Sequence, residues 1–114
     1  LLRELFLGFI RVHVLFHATK GPVYGAELMA ELARHGYRIG PGTLYPILHS
    51  LEEAGLLRCT SQNVNGWVRK YYRATPAGRR LLVRAQAQLV ELAHEVLPAG
   101  TRRPSVRSQA RRHA

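Results

Sequence analysis

The segment Gly40-Pro41-Gly42-Thr43-Leu44-Tyr45-Pro46-Ile47-Leu48-His49-Ser50-Leu51-Glu52-Glu53-Ala54-Gly55 constrains the fold more than any other part of the chain. It spells one short helix with both ends marked. Pro41 suits the first helical position, where no N–H partner is needed, and Gly55 suits the left-handed residue that closes a helix. Leu44, Ile47, Leu48 and Leu51 recur at helical spacing and define a single buried stripe. Thr43, Tyr45, Pro46 and His49 fall on the outer side. That side is uncharged, and it offers hydroxyl, imidazole and apolar groups where an ordinary surface helix presents Lys and Glu.

The neighbouring segments place this helix in a motif. Lys20-Gly21-Pro22-Val23-Tyr24-Gly25 reads as a turn, followed by a helix from about Ala26 to His35 with Leu28, Leu32 and Met29 inward and Gly36 as its end. Two helices joined by a short Gly-containing link form a helix-turn-helix. The period then changes to that of strands in Leu56-Leu57-Arg58-Cys59-Thr60-Ser61-Gln62 and Trp67-Val68-Arg69-Lys70-Tyr71-Tyr72-Arg73, joined by Asn63-Val64-Asn65-Gly66 with its Asn-Gly hairpin signal. A hairpin directly after a helix-turn-helix is a wing.

Two further helices flank the motif. Leu1 to Ala18 carries apolar residues on almost every side, which calls for cover on two sides, one of them a partner subunit. Thr75-Pro76 opens a last helix with an N-cap and a proline at its first position. It continues to about Leu97, with Leu82, Ala85, Leu89, Leu92 and Val96 in a heptad seam. At about 33 Å it is longer than one small core can cover, so its distal half is expected to pack on a second chain. The expected architecture is mainly α with a small β-hairpin: a winged helix-turn-helix over 1–75, a dimerisation helix over 76–97 and a disordered basic tail over 98–114.

Charge narrows the partners. In 114 residues the net charge is +10, with a pI near 11.1, an excess that favours polyanions such as double-stranded DNA. Half of that excess lies in the tail, in Arg102, Arg103, Arg107, Arg111 and Arg112, read as a flexible arm or a solvated terminus. Catalysis is not expected: the chain has no Asp, its Glu residues are scattered, Ser50 and Cys59 lack a recognisable His–acid arrangement, and no Gly-rich phosphate loop is present. No cofactor is expected either. A single cysteine is compatible with a reducing cytosol, and Arg3, Glu4, Arg11 and His13 break up the apolar N-terminal stretch that a signal peptide or membrane span would need, so a cytoplasmic protein without membrane contact is expected.

For a DNA interface, Thr43, Tyr45 and His49 can meet base edges or phosphates in a major groove, and Pro46 can touch a thymine methyl. Tyr45 alternatively braces the helix as a half-buried aromatic. Arg69 and Lys70 near the wing tip can follow phosphates, or simply form a solvated basic hairpin, while Trp67 either joins them or packs under the wing. Tyr24 either helps hold a phosphate at a helix start or closes the core. His13 and His17 share one face of the first helix and can bind a divalent metal as a pair or line a helix interface. No third ligand is evident for them in the sequence.

With these residues in place, the chain resembles the PadR family of bacterial transcriptional regulators. The matching pieces are Gly21-Pro22-Val23-Tyr24-Gly25, Gly40-Pro41-Gly42-Thr43-Leu44-Tyr45-Pro46 with Leu51-Glu52 and Gly55-Leu56, and Lys70-Tyr71-Tyr72 with Thr75 and Gly78. Their order and spacing cover about Leu5 to Leu82, and a single helix after the wing fits the short form of the family. The resemblance implies a homodimeric repressor at a pseudo-palindromic operator, joined through its first and last helices and released from DNA by a small-molecule or metal effector. Ala26 stands where the family commonly has Tyr, and His49 and Ser50 where Lys or Arg is frequent, which shifts weight to the wing and the tail. The last helix has no aromatic residue, so Phe6, Phe9, His13, Phe16 and His17 become the candidates for an effector pocket at the dimer interface.

Overall fold

The computed structural model describes residues 1–99. Four helices and three short strands follow in the order α1 (Leu2–Thr19), β1 (Val23–Tyr24), α2 (Gly25–Arg34), α3 (Pro41–Glu53), β2 (Leu57–Val64), β3 (Trp67–Ala74) and α4 (Pro76–Val96). The first compact unit spans Leu1–Leu82, and a second begins at Val83. The Arg-rich tail expected to be disordered lies almost entirely outside the described residues.

The apolar stripes read from the sequence converge on one core in the first unit. Ile10, Val14, Leu15 and Ala18 of α1, Leu28 and Leu32 of α2, and Leu44, Ile47, Leu48 and Leu51 of α3 are buried together with Val23, Leu57, Tyr72, Ala74 and Leu82. Met29, Tyr37, Ile39 and Cys59 pack against this cluster from its edge.

The expected hairpin is part of a larger sheet. β1 joins it, giving the order β1-β3-β2 with antiparallel pairing throughout. The segment around Val23 and Tyr24 had read only as a turn, because two residues are too few to show a period of two. Pairing with Tyr72 and Tyr71 makes them a strand. The wing turn follows its sequence closely: Val64 pairs with Trp67, and both residues between them have positive φ, 53° at Asn65 and 84° at Gly66. That is the two-residue turn whose twist matches a β-hairpin. The Asn63 side-chain oxygen accepts a hydrogen bond from the Gly66 N–H at 3.0 Å, bracing the turn.

α3 ends as its sequence requires. Gly55 adopts φ 78°, its N–H reaches the Glu52 carbonyl at 2.9 Å, and the Leu56 N–H reaches the Leu51 carbonyl at 2.9 Å. Thr75 then links three elements. Its hydroxyl donates to the Gly55 carbonyl at 2.6 Å and accepts from the Gly78 N–H at 3.0 Å, so one side chain caps α4 and ties it to the end of α3. Gly78 is buried against the Leu56 carbonyl, with no room for a Cβ between them. The first turns of α4 therefore belong to the winged-helix unit, down to Leu82.

Within the second unit, Val83, Leu89, Val90, Leu92 and Val96 of α4 are exposed, and Ala85 and Ala93 are half-buried. Among the described residues no helix is long and apolar enough to cross a membrane.

Candidate nucleic-acid interface

α3 starts at an extended Gly40, whose carbonyl receives the N–H groups of Thr43 and Leu44 at 3.1 and 3.0 Å. With its stripe of four aliphatic residues turned into the core, Pro46, His49 and Ser50 stand exposed on the opposite face. Pro46 is exposed within a helix that runs unbroken to Glu53, so its missing N–H costs one helical hydrogen bond on the solvent side. Thr43 is half-buried, at the end of α3 nearest the start of α1.

Tyr45 is less free than its place in the sequence suggests. It is half-buried, packed against the core, and its phenol lies so close to Gly25 that a Cβ there would overlap the ring. From this anchored position Tyr45 still lines an open cleft of about 640 Å³ between α3 and the wing, bounded by Tyr24, Ala26, His49, Trp67, Arg69 and Lys70 among others. The bracing and groove-facing readings of Tyr45 describe two ends of one side chain.

The wing side of this cleft is held together by aromatic contacts. The Arg69 guanidinium sits 4.2 Å above the centre of the Tyr24 ring, and Tyr24 meets Tyr71 edge-on at 5.6 Å. The Tyr71 phenol, with smaller contributions from Tyr24 and Glu27, holds the Arg69 pKa above its ordinary value. Tyr24 itself precedes α2 in extended conformation, and its N–H donates to the Glu27 carboxylate at 3.4 Å. Residues read separately in the sequence, Tyr24 at a helix start and Arg69 on a strand, thus form one stacked pair. Tyr71 completes the group, and only the three-dimensional pairing of β1 with β3 exposes its role. Trp67 is 79% exposed at the wing tip, so it does not pack beneath the hairpin. Lys70, further along β3, is exposed as well.

A second, smaller cleft of about 210 Å³ opens at the other end of α3. Thr43 and Pro46 share it with Arg3, Leu7 and Arg11 of α1. Arg3 and Arg11 had served only as interruptions of an apolar stretch. Their spacing of about two helical turns puts both on one face, the feature that could have marked them as neighbours of α3.

The aromatic and histidine residues of α1 divide into two groups. Phe6 packs on Tyr37 at 5.2 Å, and His13 meets Tyr37 at 5.0 Å and His35 at 5.2 Å. The His17 ring lies parallel to His13 at 6.2 Å. Phe9 and Phe16 are exposed instead, with the Lys20 ammonium 5.0 Å above the Phe16 ring. Burial, then the neighbouring His35 and His17, push the His13 pKa below its ordinary value, opposed by Glu31. His13 and His17 are therefore not an isolated pair. Glu31 of α2 and His35, the residue that caps α2, complete the group.

A strand-flanked helix-turn-helix with an open cleft between its second helix and its wing is a DNA-binding arrangement. The sequence decides the family: residues 14–84 match the Transcriptional regulator PadR-like family. The chain belongs to that family. The PadR-like chain is 52% identical over 96 residues to Transcriptional regulator Rv3488 of Mycobacterium tuberculosis, a match covering 84% of this chain and 90% of the relative. Its fold is similar to the crystal structure of a PadR family transcriptional regulator from Eggerthella lenta DSM 2243, with a TM-score of 0.75, 39% identity, and coverage of 83% of this chain and 84% of the other. A PadR-like transcriptional regulator from Bacillus cereus strain ATCC 14579 gives a TM-score of 0.74 at 26% identity, over 82% of this chain and 92% of the other. The PadR-like protein is a transcriptional regulator, not an enzyme, and its fold is the winged helix-turn-helix with a long C-terminal helix expected from its sequence.

Proposed function

We propose that this PadR-like regulator acts in the cytoplasm as a homodimeric, ligand-responsive repressor that binds a pseudo-palindromic operator in double-stranded DNA. The observation that carries the reading is the cleft between α3 and the wing, where an uncharged helix face stands opposite Arg69 and Lys70. In this reading Thr43, Tyr45, Pro46 and His49 meet the major groove, Arg69 and Lys70 track phosphates, and Tyr24 holds Arg69 in position. The tail beyond Pro98 adds sequence-independent affinity.

Two copies would join through α1 and α4. Exposed Leu2, Leu5, Phe9 and Phe16 on α1, and exposed Leu89, Leu92 and Val96 on α4, support an interface there. The dimer would set two α3 helices about 34 Å apart, one turn of duplex. Phe6, Phe9, His13, Phe16 and His17 would line an effector pocket at this interface, where an effector acts by favouring one spacing of the two α3 helices over another. DNA-binding titrations on the fragment upstream of the regulator's own gene, with and without Tyr45→Ala, test the recognition face. Specific binding that weakens in the variant is expected, and unchanged binding would overturn the assignment of that face.

A further inference from the structure

We infer that His17, Glu31 and His35 form a binding site for a divalent cation of the zinc class, which would pin α2 to α1. His17 comes from α1, Glu31 from α2 and His35 from the cap of α2, and their ligand atoms all lie within 4.8 Å of one another. Glu31 Oε2 stands at the centre, 3.2 Å from His35 Nε2 and 3.9 Å from His17 Nε2. Zinc bonded tetrahedrally to nitrogen and oxygen at about 2.0–2.1 Å requires its ligand atoms to be ~3.3 Å apart. The Glu31–His35 separation already meets that requirement. The His17–Glu31 separation needs a closure of roughly half an ångström, and the two imidazole nitrogens, up to 4.8 Å apart, must close by up to ~1.5 Å, a movement that rotation of the half-exposed His35 side chain can supply.

The surroundings orient the carboxylate for ligation through one oxygen. Arg34 engages the other carboxylate oxygen, Oε1, which leaves Oε2 turned to the two imidazoles as a single-oxygen ligand with a fixed orientation. The His17 and Glu31 side chains are 20% and 24% exposed and that of His35 is 50% exposed, so the carboxylate is half-buried while the group opens to solvent on the His35 side. An adjoining cleft of about 270 Å³, lined by His17, Glu31, Lys20 and Arg34 among others, gives an entry path and room for a water as fourth ligand. Two imidazoles and one carboxylate, without a thiolate, select borderline divalent ions over soft monovalent copper or hard calcium.

α2 is the first helix of the helix-turn-helix, so an ion bridging it to α1 acts on the element that supports α3. The ion site shares only His17 with the proposed effector pocket, and its binding does not depend on the DNA-reading role. The test is isothermal titration of zinc chloride into the chelator-stripped full chain, beside Glu31→Gln, His35→Gln and the control His94→Gln. Cobalt(II) absorption reports the ligand field in parallel. One zinc per chain is expected in the wild type, with affinity at least tenfold weaker in each of the two site variants, unchanged affinity in the control, and a thermal midpoint raised by zinc in the wild type. Melting curves in chelator verify that both site variants fold. Failure of the wild type to bind saturably, or wild-type affinity in both site variants, would overturn the site. DNA titrations in chelator report the repressor reading separately, so the two can fail independently.

Discussion

The phenol of Tyr45 on α3 closes directly over the backbone of Gly25 at the start of α2. This contact sets how near the two helices of the helix-turn-helix approach, and it holds the aromatic ring at the mouth of the groove-facing cleft. Gly25→Ala must push the ring outward. The expected cost is about 1–3 kcal/mol of stability, the usual range for overpacking, together with weaker operator binding because Tyr45 is displaced. Adding Tyr45→Ala should restore most of the stability but not the DNA binding. Urea unfolding of the three variants checks the first part, and fluorescence anisotropy on operator DNA the second.

Gly78 presents a harder version of the same constraint, since the atom in the way is the Leu56 carbonyl and backbone yields less than a side-chain tip. Gly78→Ala should cost about 3 kcal/mol, at the upper end for overpacking. Thr75→Ala removes both the α4 cap and the hydrogen bond to Gly55, and should cost about 1–2 kcal/mol. The pair should be less than additive, because both losses act on the same junction. Chemical denaturation of the single and double variants measures this.

Much of this junction was legible in the sequence, because Pro41, Gly55, Asn65-Gly66 and Thr75-Pro76 each have a local reason to be where they are. Local reasons do not reveal cross-chain partners. β1 was invisible since two residues carry no periodicity, and with it went the edge-on contact of Tyr24 with Tyr71 and the seat of Arg69 over Tyr24. Glu31 and His35 carry no local signal that sets them beside His17; only the packing of α1 on α2 brings the three together. Tyr45 had been assigned two competing roles, and only the geometry shows that its ring can brace and its edge still face the cleft.

Tyr72 carries a fully buried hydroxyl without a hydrogen-bond acceptor or donor in place, unlike the other buried side-chain polar atoms among the described residues. Burial, then its cross-strand neighbour Cys59, raises its pKa from 10.0 to about 12. The fold thus favours the neutral phenol. Its contribution is intact below about pH 10, where the unfolded chain also keeps the proton, and is lost as pH rises toward about 12. Tyr72→Phe should change stability by less than about 1 kcal/mol at neutral pH. Between pH 10 and 12 the wild type should lose about 2 kcal/mol relative to the variant. Paired denaturation curves at pH 8, 10 and 11.5 give the difference directly.

The Arg69–Tyr24 stack separates charge from position. Arg69→Ala should weaken operator binding and lower the salt dependence by about one counterion. Arg69→Lys keeps the charge but loses the planar stack on Tyr24, so it should preserve the salt slope while still reducing affinity. Lys70→Ala, at an exposed position, should lower the slope with less effect on sequence preference. Affinity measured at several salt concentrations on operator and unrelated DNA distinguishes these outcomes.

Leu89 and Leu92 are 37% and 49% exposed on α4, beyond the winged-helix unit, so charging them leaves the first core untouched. If a second copy covers this seam, Leu89→Glu with Leu92→Glu places like charges in an apolar interface and should convert dimer to monomer. Two linked half-site contacts would then become one, and operator affinity should fall by about 10²–10⁴, the usual loss when intramolecular engagement of a second site is removed. Affinity for an isolated half-site should change little, because the α3 face and the wing are unaltered. Sedimentation equilibrium reports the assembly state, and anisotropy on full and half operators separates loss of pairing from loss of recognition. A variant that stays dimeric, or that loses half-site binding to the same extent, would remove α4 from the proposed interface.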